Sequence, residues 1–483
     1  IVAADIRAVA VVVLDDGQVV GHVDDEGAVL YVDPAPVICE GDQCADPSAP
    51  RVEPIEPANA PVDAPFSAAA ADDALLLHSR PGSQNVVYLD FNGHSFTNTA
   101  WGNETFEAAA FDLDGNPSSF NADERARIAE IWHRVAEDFA PFDIDVTTEE
   151  PPSFGPYIGH LLITSKTQDN GDPMPYDNAG GVAYIDVWGR SNYASYYSPA
   201  LVYYDNLAGS PTYIAEATSH EFGHNLGLSH DGTSSVSYYA GHGSGGTSWA
   251  PIMGNSYSRN ITQWSRGEYA DANNDQDDIA IISDALFLAG DDHGNTPADA
   301  TPLSIGSGGE IAVTDPETDP HNLNPLNKGV IDSVSDWDYF SFYTSGGPVD
   351  VTVRPAWQAF YRDTRRGSNL DIRALLLDGG GNIVAEANPA SDTFATISTA
   401  VPAGTYFLAV TGVGNGSSSS YASQGQYFIS GTVSSAPNTP PTAAFDFACQ
   451  ALDCSFIDAS SDSDGNIVGR SWDFGDTLSS TTQ

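Results

Sequence analysis

Apolar side chains recur at helical spacing in the segment 121–139. Intervals of three and four residues place on one helix face the side chains of Ile128, Ile131, Trp132, Val135 and Phe139. Asn121 can accept hydrogen bonds from the first-turn N–H groups, and Asp123 and Glu124 suit the positive end of the helix dipole. The pattern predicts an amphipathic helix that starts at Asn121.

Short apolar runs elsewhere in the same part of the chain predict buried strands. They lie at 86–91, 143–147, 160–164, 180–185 and 200–204, and a second helical pattern covers 277–288. Strands that alternate with long helices favour an α+β domain with a mixed, twisted sheet. We expect this domain to cover residues 83–290.

The segment before this domain differs from it in composition and in the pattern of apolar residues. Residues 1–32 alternate Val-rich runs with acidic glycine turns and predict a small β-meander, and residues 34–71 form a linker rich in Pro and Ala. Residues 1–82 are therefore interpreted as a propeptide-like region. The alternative is an independent β module without an inhibitory task.

Residues after 290 alternate strand-like runs with Gly-rich turns. This spacing predicts an all-β sandwich over 291–434. A Pro/Ser/Asn linker follows at 435–441, and a second β-rich segment occupies 442–483. The fold class is thus a multidomain chain in which an α+β domain precedes all-β sandwich domains.

The chain is strongly acidic. Its 483 residues suit three or four domains, and 66 Asp and Glu against 17 Lys and Arg give a net charge of −49. Such a charge argues against partners that are nucleic acids or anionic membranes. Without an apolar run of about 18 residues, the sequence predicts no membrane span. Carboxylates in this excess favour solubility at high salt, Ca²⁺ binding, or both.

Two short turns have part of a calcium-loop pattern. One contains Asp271, Asn273 and Asp275, and the other spans 112–116. Both lack the complete set of EF-hand ligands, so ordinary turns are the favoured interpretation.

The four cysteines form two local pairs, Cys39 with Cys44 and Cys449 with Cys454. Neither pair has the additional partners of a structural zinc site. Two small disulfides in a secreted, extracellular protein are the simplest interpretation.

The segment 220–230 has the pattern H-E-x-x-H-x-x-G-x-x-H. His220 and His224 are one helical turn apart, so both can bind one metal ion. Glu221 lies beside the metal without binding it, which suits a general base.

Glycine tolerates the backbone angles that end a helix, so Gly227 can turn the chain and bring His230 to the metal. Three histidines leave the fourth position of a tetrahedral Zn²⁺ ion open for water. This arrangement indicates one catalytic zinc ion. Asp231 can orient His230 or turn the chain, and His242 is interpreted as a loop residue.

The pattern resembles that of the metzincin clan of zinc metalloendopeptidases. This resemblance implies a methionine turn below the metal, which Met253 within residues 249–254 fits. It also implies a substrate-binding edge strand formed by Gly181, Val182, Ala183 and Tyr184. An ordinary sheet strand is the alternative.

One position departs from several metzincin families, in which a tyrosine follows two residues after the methionine. Asn255 stands there, and the nearest tyrosine is Tyr257. The segment 262–269 is similar to secreted reprolysin-like or gametolysin-like bacterial enzymes.

The C-terminal part carries two further resemblances. Residues 336–340 and 402–406 resemble the bacterial pre-peptidase C-terminal domain, which would cover 291–434. Residues 458–465 and 472–476 resemble part of a PKD-type β-sandwich.

These observations predict a secreted, monomeric zinc endopeptidase that acts on protein or peptide substrates. A zinc hydrolase of a non-peptide amide, such as a cell-wall amidase, and a weakly catalytic adhesin-like binding protein are the alternatives. Latency of a zymogen has three possible sources: a thiolate of Cys39 or Cys44 on the zinc, an N-terminal carboxylate on the zinc, or blockage of the edge strand.

Overall fold

The computed structural model describes residues 28–35, 74–314, 319–356, 366–434, 442–450 and 453–461, and four short strands outside these ranges. In chain order, the first twelve strands are β1 (Ala8–Val13), β2 (Val19–Asp24), β3 (Val29–Pro34), β4 (Val86–Asp90), β5 (His94–Thr99), β6 (Gly102–Ala108), β7 (Asp145–Thr147), β8 (Ile158–Thr164), β9 (Ala179–Ile185), β10 (Ala200–Tyr203), β11 (Trp249–Pro251) and β12 (Ile261–Gln263).

The first large sheet has eight strands in the order β1-β2-β3-β9-β10-β8-β4-β7. The pairs β4/β7, β4/β8 and β8/β10 are parallel, whereas β9 is antiparallel to both of its neighbours, β10 and β3. Smaller pairs are the antiparallel hairpin β5/β6 and the parallel pair β11/β12.

Three α-helices accompany this sheet: α1 (Ala122–Asp138), α2 (Pro211–Leu226) and α3 (Asp278–Leu286). A π-helical turn covers Tyr193–Tyr197, and a 3₁₀ turn covers Gly245–Thr247. Helix α2 packs on β8, β9 and β10 and against α1. The metal-binding pattern is therefore held between the sheet and a second helix.

Local sequence explains the ends of these helices. Asn121 accepts hydrogen bonds from the N–H groups of Asp123 and Glu124, and the Glu124 side chain accepts one from the Asn121 N–H. The five apolar residues predicted for α1 are buried in the core that lies between the helices and the sheet. The predicted helix at 121–139 is confirmed, with Asn121 as its cap.

The C-terminal sandwich contains two sheets. One has the order β13-β16-β21-β18-β19 and the other β14-β22-β17-β20, with β15 also paired to β22. The strands are β13 (Thr301–Pro302), β14 (Glu310–Ile311), β15 (Lys328–Ile331), β16 (Asp338–Thr344), β17 (Gly347–Pro355), β18 (Ile372–Asp378), β19 (Ile383–Ala387), β20 (Ala395–Val401), β21 (Gly404–Gly412) and β22 (Gly425–Val433). Alternate apolar residues of both sheets form a core of their own.

Two small antiparallel pairs complete the described strands. These are β23 (Phe445–Gln450) with β24 (Asp453–Asp458) and β25 (Trp472–Asp473) with β26 (Ser479–Ser480). Cys449 and Cys454 face each other across the first pair and are disulfide-bonded. Cys39 and Cys44 lie outside the described residues.

The observed elements agree with a β-rich chain of several sheets and few helices. The domain limits at 82/83, 290/291, 434/435 and 441/442 stay predictions. The hairpin β5/β6 was missed by the sequence patterns, because only Phe96, Thr99, Phe106 and Ala108 of its residues are buried. Among the described helices, none is long and apolar enough to cross a membrane.

The sequence predicts residues 181–184 as an edge strand open to substrate. Here β3 pairs along the outer side of β9, from Val29 opposite Ile185 to Pro34 opposite Ala179. Strand β9 therefore lies inside the sheet, and the N-terminal region covers the edge that β9 would otherwise present.

Candidate metal centre

The end of α2 delivers three histidines to one point. His220 and His224 lie one turn apart on the buried side of the helix. Gly227 has φ +110°, in the left-handed region, and ends the helix. The N–H of Gly227 donates to the His224 carbonyl at 2.9 Å, and the chain then turns to place His230 beside the other two rings.

A carboxylate from the N-terminal region completes this cluster. Asp33 on β3 has Oδ1 2.6 Å from His230 Nε2 and 3.4 Å from His220 Nε2. Its Oδ2 lies 3.5 Å from His224 Nε2. One ligand atom from each of the four side chains lies within 4.8 Å of the others, and all four side chains are buried.

Two backbone carbonyls orient the histidine rings. His220 Nδ1 donates to the Ile252 carbonyl at 2.7 Å, and His224 Nδ1 donates to the Leu228 carbonyl at 2.8 Å. These bonds place the proton on Nδ1 and leave the Nε2 lone pair aimed into the cluster, the arrangement that metal-binding histidines require.

The residues present fit a zinc ion. Buried atoms without a hydrogen-bond partner include both carboxylate oxygens of Asp33 and Glu221 and Nε2 of His220. Lone pairs that converge without a donor repel one another, so the cluster needs a cation at its centre. Three imidazole nitrogens and one carboxylate oxygen form a donor set that Zn²⁺ binds with four-coordinate geometry.

Glu221 is fully buried, and its carboxylate lies against β9. A Cβ atom at Gly181 would stand 2.1 Å from Glu221 Oε1, so any larger residue at that position would have to displace the Glu221 side chain. Burial raises the pKa of Glu221 well above its usual range, and the nearby Asp33 charge raises it further.

Met253 lies below the helix and supports the third histidine. Its side chain is fully buried, and a Cβ at Gly223 would lie 2.7 Å from Met253 Sδ. The Met253 carbonyl accepts the Asp231 N–H at 2.8 Å, directly after His230. Asp231 therefore holds the loop through its backbone, and burial together with Glu268 raises its side-chain pKa to about 7.

Two aromatic residues that the sequence patterns did not identify enclose the histidines. The ring centroid of Tyr31, on β3, lies 4.1 Å from the ring centroid of His230. The ring centroid of Tyr238 lies 4.4 Å from the same His230 centroid. The Tyr238 hydroxyl donates to the Val32 carbonyl at 3.3 Å. No local sequence signal marks either residue, since both act through contacts between distant segments.

A small open cleft adjoins His220 and Asp33. Asn255 and Tyr257 line it, and the Tyr257 ring packs edge-on against Tyr213 with centroids 5.6 Å apart. His242 is outside the metal cluster: its Nδ1 pairs with the Tyr239 hydroxyl at 2.9 Å.

In both partial calcium loops, side-chain oxygens accept hydrogen bonds from neighbouring loop residues, and in the first loop one oxygen each of Asp112, Asp114 and Glu124 lies within 4.8 Å of the others. Asp112 Oδ1 accepts the N–H groups of Asp114, Gly115 and Asn116, which closes the loop on itself. Asp271 accepts the Ser234 hydroxyl at 2.6 Å, and Asn273 Oδ1 accepts the Gly232 N–H at 2.8 Å. These side chains hold their loops in place.

Comparison with known proteins adds a match over the metal-binding helix. Residues 164–265 match the family described as metallo-peptidase family M12, Reprolysin_5. This match supports a metallopeptidase, and the matched range contains the three histidines, Glu221 and Met253.

A solved structure is also similar to part of the chain. It is the crystal structure of the pre-peptidase C-terminal domain of the collagenase from Bacillus anthracis. The identity is 17%, the match covers 28% of this chain and 98% of that chain, and the TM-score is 0.18.

Proposed function

We propose that the chain is the latent precursor of a secreted zinc endopeptidase with Glu221 as its general base. The observation that carries the proposal is the convergence of three histidine Nε2 atoms beside a buried carboxylate that has no hydrogen-bond donor. A bound Zn²⁺ ion supplies Lewis-acid chemistry, which polarises the scissile carbonyl and acidifies water.

The protein residues have separate tasks in this reaction. Glu221 accepts a proton from the attacking water and later passes it to the leaving amine. The Nδ1–H bonds of His220 and His224 hold both rings in the required orientation. The missing side chain at Gly181 leaves room for the Glu221 carboxylate.

A peptide substrate is favoured over a non-peptide amide by the contacts of β9. Its outer edge already pairs with an extended peptide segment, β3, which runs antiparallel across the metal centre. Backbone pairing of this kind binds any extended polypeptide, whereas the short peptide of a cell-wall amide offers fewer N–H and C=O groups to such an edge.

Hydrolysis assays separate these possibilities. The precursor, cut to remove residues 1–82, is given casein and purified cell wall in parallel. We expect chelator-sensitive casein cleavage, lost in Glu221→Gln by at least ~100-fold in kcat although zinc is retained. Glu104→Gln, an exposed change on β6, is the control. Cell-wall hydrolysis alone would identify an amidase, and binding without any hydrolysis would identify an adhesin-like protein.

Latency in this proposal comes from β3. Asp33 lies where a fourth zinc ligand would bind, and the backbone of β3 takes the edge of β9. The three histidines and Asp33 would together hold the zinc ion, and the Asp33 carboxylate would then exclude water from the position that a catalytic site keeps open. The same short segment therefore excludes both the nucleophile and the substrate.

Replacement of Asp33 tests the latency separately from the activity. In the uncut chain we expect Asp33→Ala to raise peptide hydrolysis about tenfold or more, because a larger fraction of the molecules can then bind water and substrate at the metal. Asp186→Asn, an exposed change near the end of α2, should leave the uncut chain inactive.

A spectroscopic measurement tests whether Asp33 is a metal ligand without any need for catalytic turnover. In Co²⁺-substituted protein that also carries Glu221→Gln, Asp33→Ala should change the visible absorption of the metal, whereas Asp186→Asn should not. Identical cobalt spectra with and without Asp33 would overturn the assignment of Asp33 as a ligand. Cleavage of casein by the cut enzyme would still support the endopeptidase.

A further inference from the structure

The hairpin β5/β6 has few buried residues with which to hold itself against the first large sheet. Its first residue, His94, lies beside two buried side chains of that sheet, Asp90 at the end of β4 and His160 on β8. One ligand atom from each of the three side chains lies within 4.8 Å of the others. Two imidazoles and one carboxylate thus meet where the hairpin joins the sheet.

This group lies on the opposite face of the sheet from α2. Gly159, the residue before His160, faces the helix, because a Cβ there would lie 2.9 Å from the Phe222 ring. Side chains alternate along a strand, so His160 points away from α2. Tyr88 pairs with His160 across β4 and β8, which places Asp90, two residues further along β4, on the same face as His160. The sheet therefore separates this group from the histidine cluster of α2.

The turn between β4 and β5 brings His94 back towards Asp90. Gly93 has φ +79°, in the left-handed region, and a Cβ on it would lie 2.7 Å from the Ala108 carbonyl oxygen. Asp90 Oδ1 accepts the Asn92 N–H at 2.9 Å, which closes the turn. The second oxygen of the same carboxylate is left to face the two histidines.

The distances within the group suit a shared metal ion. Asp90 Oδ2 lies 2.8 Å from His160 Nε2 and 4.0 Å from His94 Nδ1. Two donor atoms bound to one tetrahedral zinc ion stand about 3.3 Å apart, a value that lies between these two distances. A hydrogen bond explains the contact of Asp90 with His160, but the 4.0 Å separation is too long for one. The position of His94 therefore calls for a different partner.

The surroundings prepare His94 for metal binding. Burial lowers its pKa, and the charge of the nearby His160 lowers it further. Neutral imidazole is the form that binds a metal ion. The His94 side chain is 33% exposed, so an ion can reach the group from solvent.

Aromatic rings cover the buried side of the group. The Phe154 ring stacks on His160 with centroids 4.8 Å apart, and the Tyr88 ring stacks on the same histidine at 5.5 Å. The His94 ring meets His160 edge-on at 4.7 Å. Apolar cover of this kind keeps water away from the ligands and fixes the orientation of the rings.

We propose that Asp90, His94 and His160 form a second Zn²⁺ site, which fastens the hairpin β5/β6 to the face of the sheet opposite α2. Two imidazole nitrogens and one carboxylate oxygen are donors that Zn²⁺ binds well, whereas Ca²⁺ and Mg²⁺ prefer oxygen ligands alone. Solvent supplies the fourth ligand on the exposed side of His94. The ion replaces the apolar contacts that the hairpin lacks.

Zinc content tests the site in the full chain that carries Glu221→Gln, which prevents self-cleavage, and that has no histidine tag. After equilibration in a zinc-buffered solution, we expect two zinc ions per chain and one after the further change His94→Ala. Asp90→Asn, which keeps the size of the side chain, should also lower the content by one. His242→Ala is the matched control, since His242 is another half-buried histidine and lies outside both groups.

Hydrogen–deuterium exchange shows where the second ion acts. Zinc at a hundred times its Kd should slow exchange in peptides from β5 and β6 by up to about 100-fold. This protection should persist in His224→Ala, which removes a ligand of the other cluster, and disappear in His94→Ala. CaCl₂ should not protect the hairpin.

Equal zinc content with and without His94→Ala would overturn the site, as would exchange in β5 and β6 that does not respond to zinc. Zinc-dependent protection of the hairpin that survives in both His94→Ala and Asp90→Asn would overturn it too. Failure of the protease assays would leave this result untouched, because neither measurement involves hydrolysis.

Discussion

The Glu221 carboxylate rests against the backbone of Gly181, so close that a Cβ at residue 181 would lie 2.1 Å from Oε1. The proposed general base is thereby positioned by the strand that would also pair with the substrate. A single glycine thus couples the orientation of the base to the substrate-binding edge of the sheet.

Gly181→Ala should therefore impair catalysis without loss of the metal. The added methyl group must displace Glu221, and a displacement near 1 Å costs on the order of 100-fold in rate. The measurement is kcat of the cut enzyme together with its zinc content. Gly155→Ala adds a Cβ in open space and should behave as wild type. Equal kcat values for the two variants would contradict this role.

Met253→Ala should destabilise the metal centre as well as the core. Truncation of a buried methionine costs about 2–5 kcal/mol in the free energy of unfolding. The Met253 side chain also packs against Gly223, which precedes His224 on α2, so zinc affinity should fall too. Met174→Ala is a matched change in a separate core. It should cost similar stability, measured by denaturant unfolding, yet leave zinc affinity unchanged.

His133 should make the stability depend on pH. Burial in α1 lowers its pKa to about 3, below the usual value of 6.5. The unfolded chain therefore binds a proton below pH 6.5 that the folded chain excludes, and the stability from the neutral ring is lost as pH falls. The free energy of unfolding should drop by about 1.4 kcal/mol per pH unit below 6.5, relative to His133→Gln. If the free energy of unfolding of the wild type and of His133→Gln varied in parallel between pH 4.5 and 8, this role of His133 would be contradicted.

The convergence of the histidines on and after α2 was predictable because their relation is local. Helical periodicity places His220 beside His224, and a glycine allows the turn to His230, so spacing alone indicates a metal site. No sequence pattern singled out Asp33 as the carboxylate that joins the histidines. An N-terminal carboxylate in general was one of the three predicted sources of latency. It reaches the histidines through pairing of β3 with β9, and no local pattern encodes that register.

Three aspartates, Asp291, Asp292 and Asp338, illustrate the same limit, since one oxygen from each lies within 4.8 Å of the others. With 66 acidic residues in the chain, three aspartates in two distant segments give no distinctive signal. Their relation arises only when the segment after α3 folds against β16. The partial calcium loop at 112–116 was, by contrast, conspicuous in sequence, because its acidic residues lie within five consecutive positions.

Tyr31 should contribute to latency through its contacts with the histidine rings. Its ring centroid lies 4.1 Å from that of His230 and 5.1 Å from that of His224, so it shields the centre on the side of β3. Tyr31→Ala in the uncut chain should loosen β3 without removal of the Asp33 carboxylate. We expect faster loss of zinc to a chelator and a partial rise in peptide hydrolysis, smaller than that of Asp33→Ala. Val29→Ala, at the far end of the same strand opposite Ile185, is the matched control and should change neither. If Tyr31→Ala and Val29→Ala exchange zinc at the wild-type rate, the aromatic contact has no part in latency, and the block rests on Asp33 and the backbone pairing of β3.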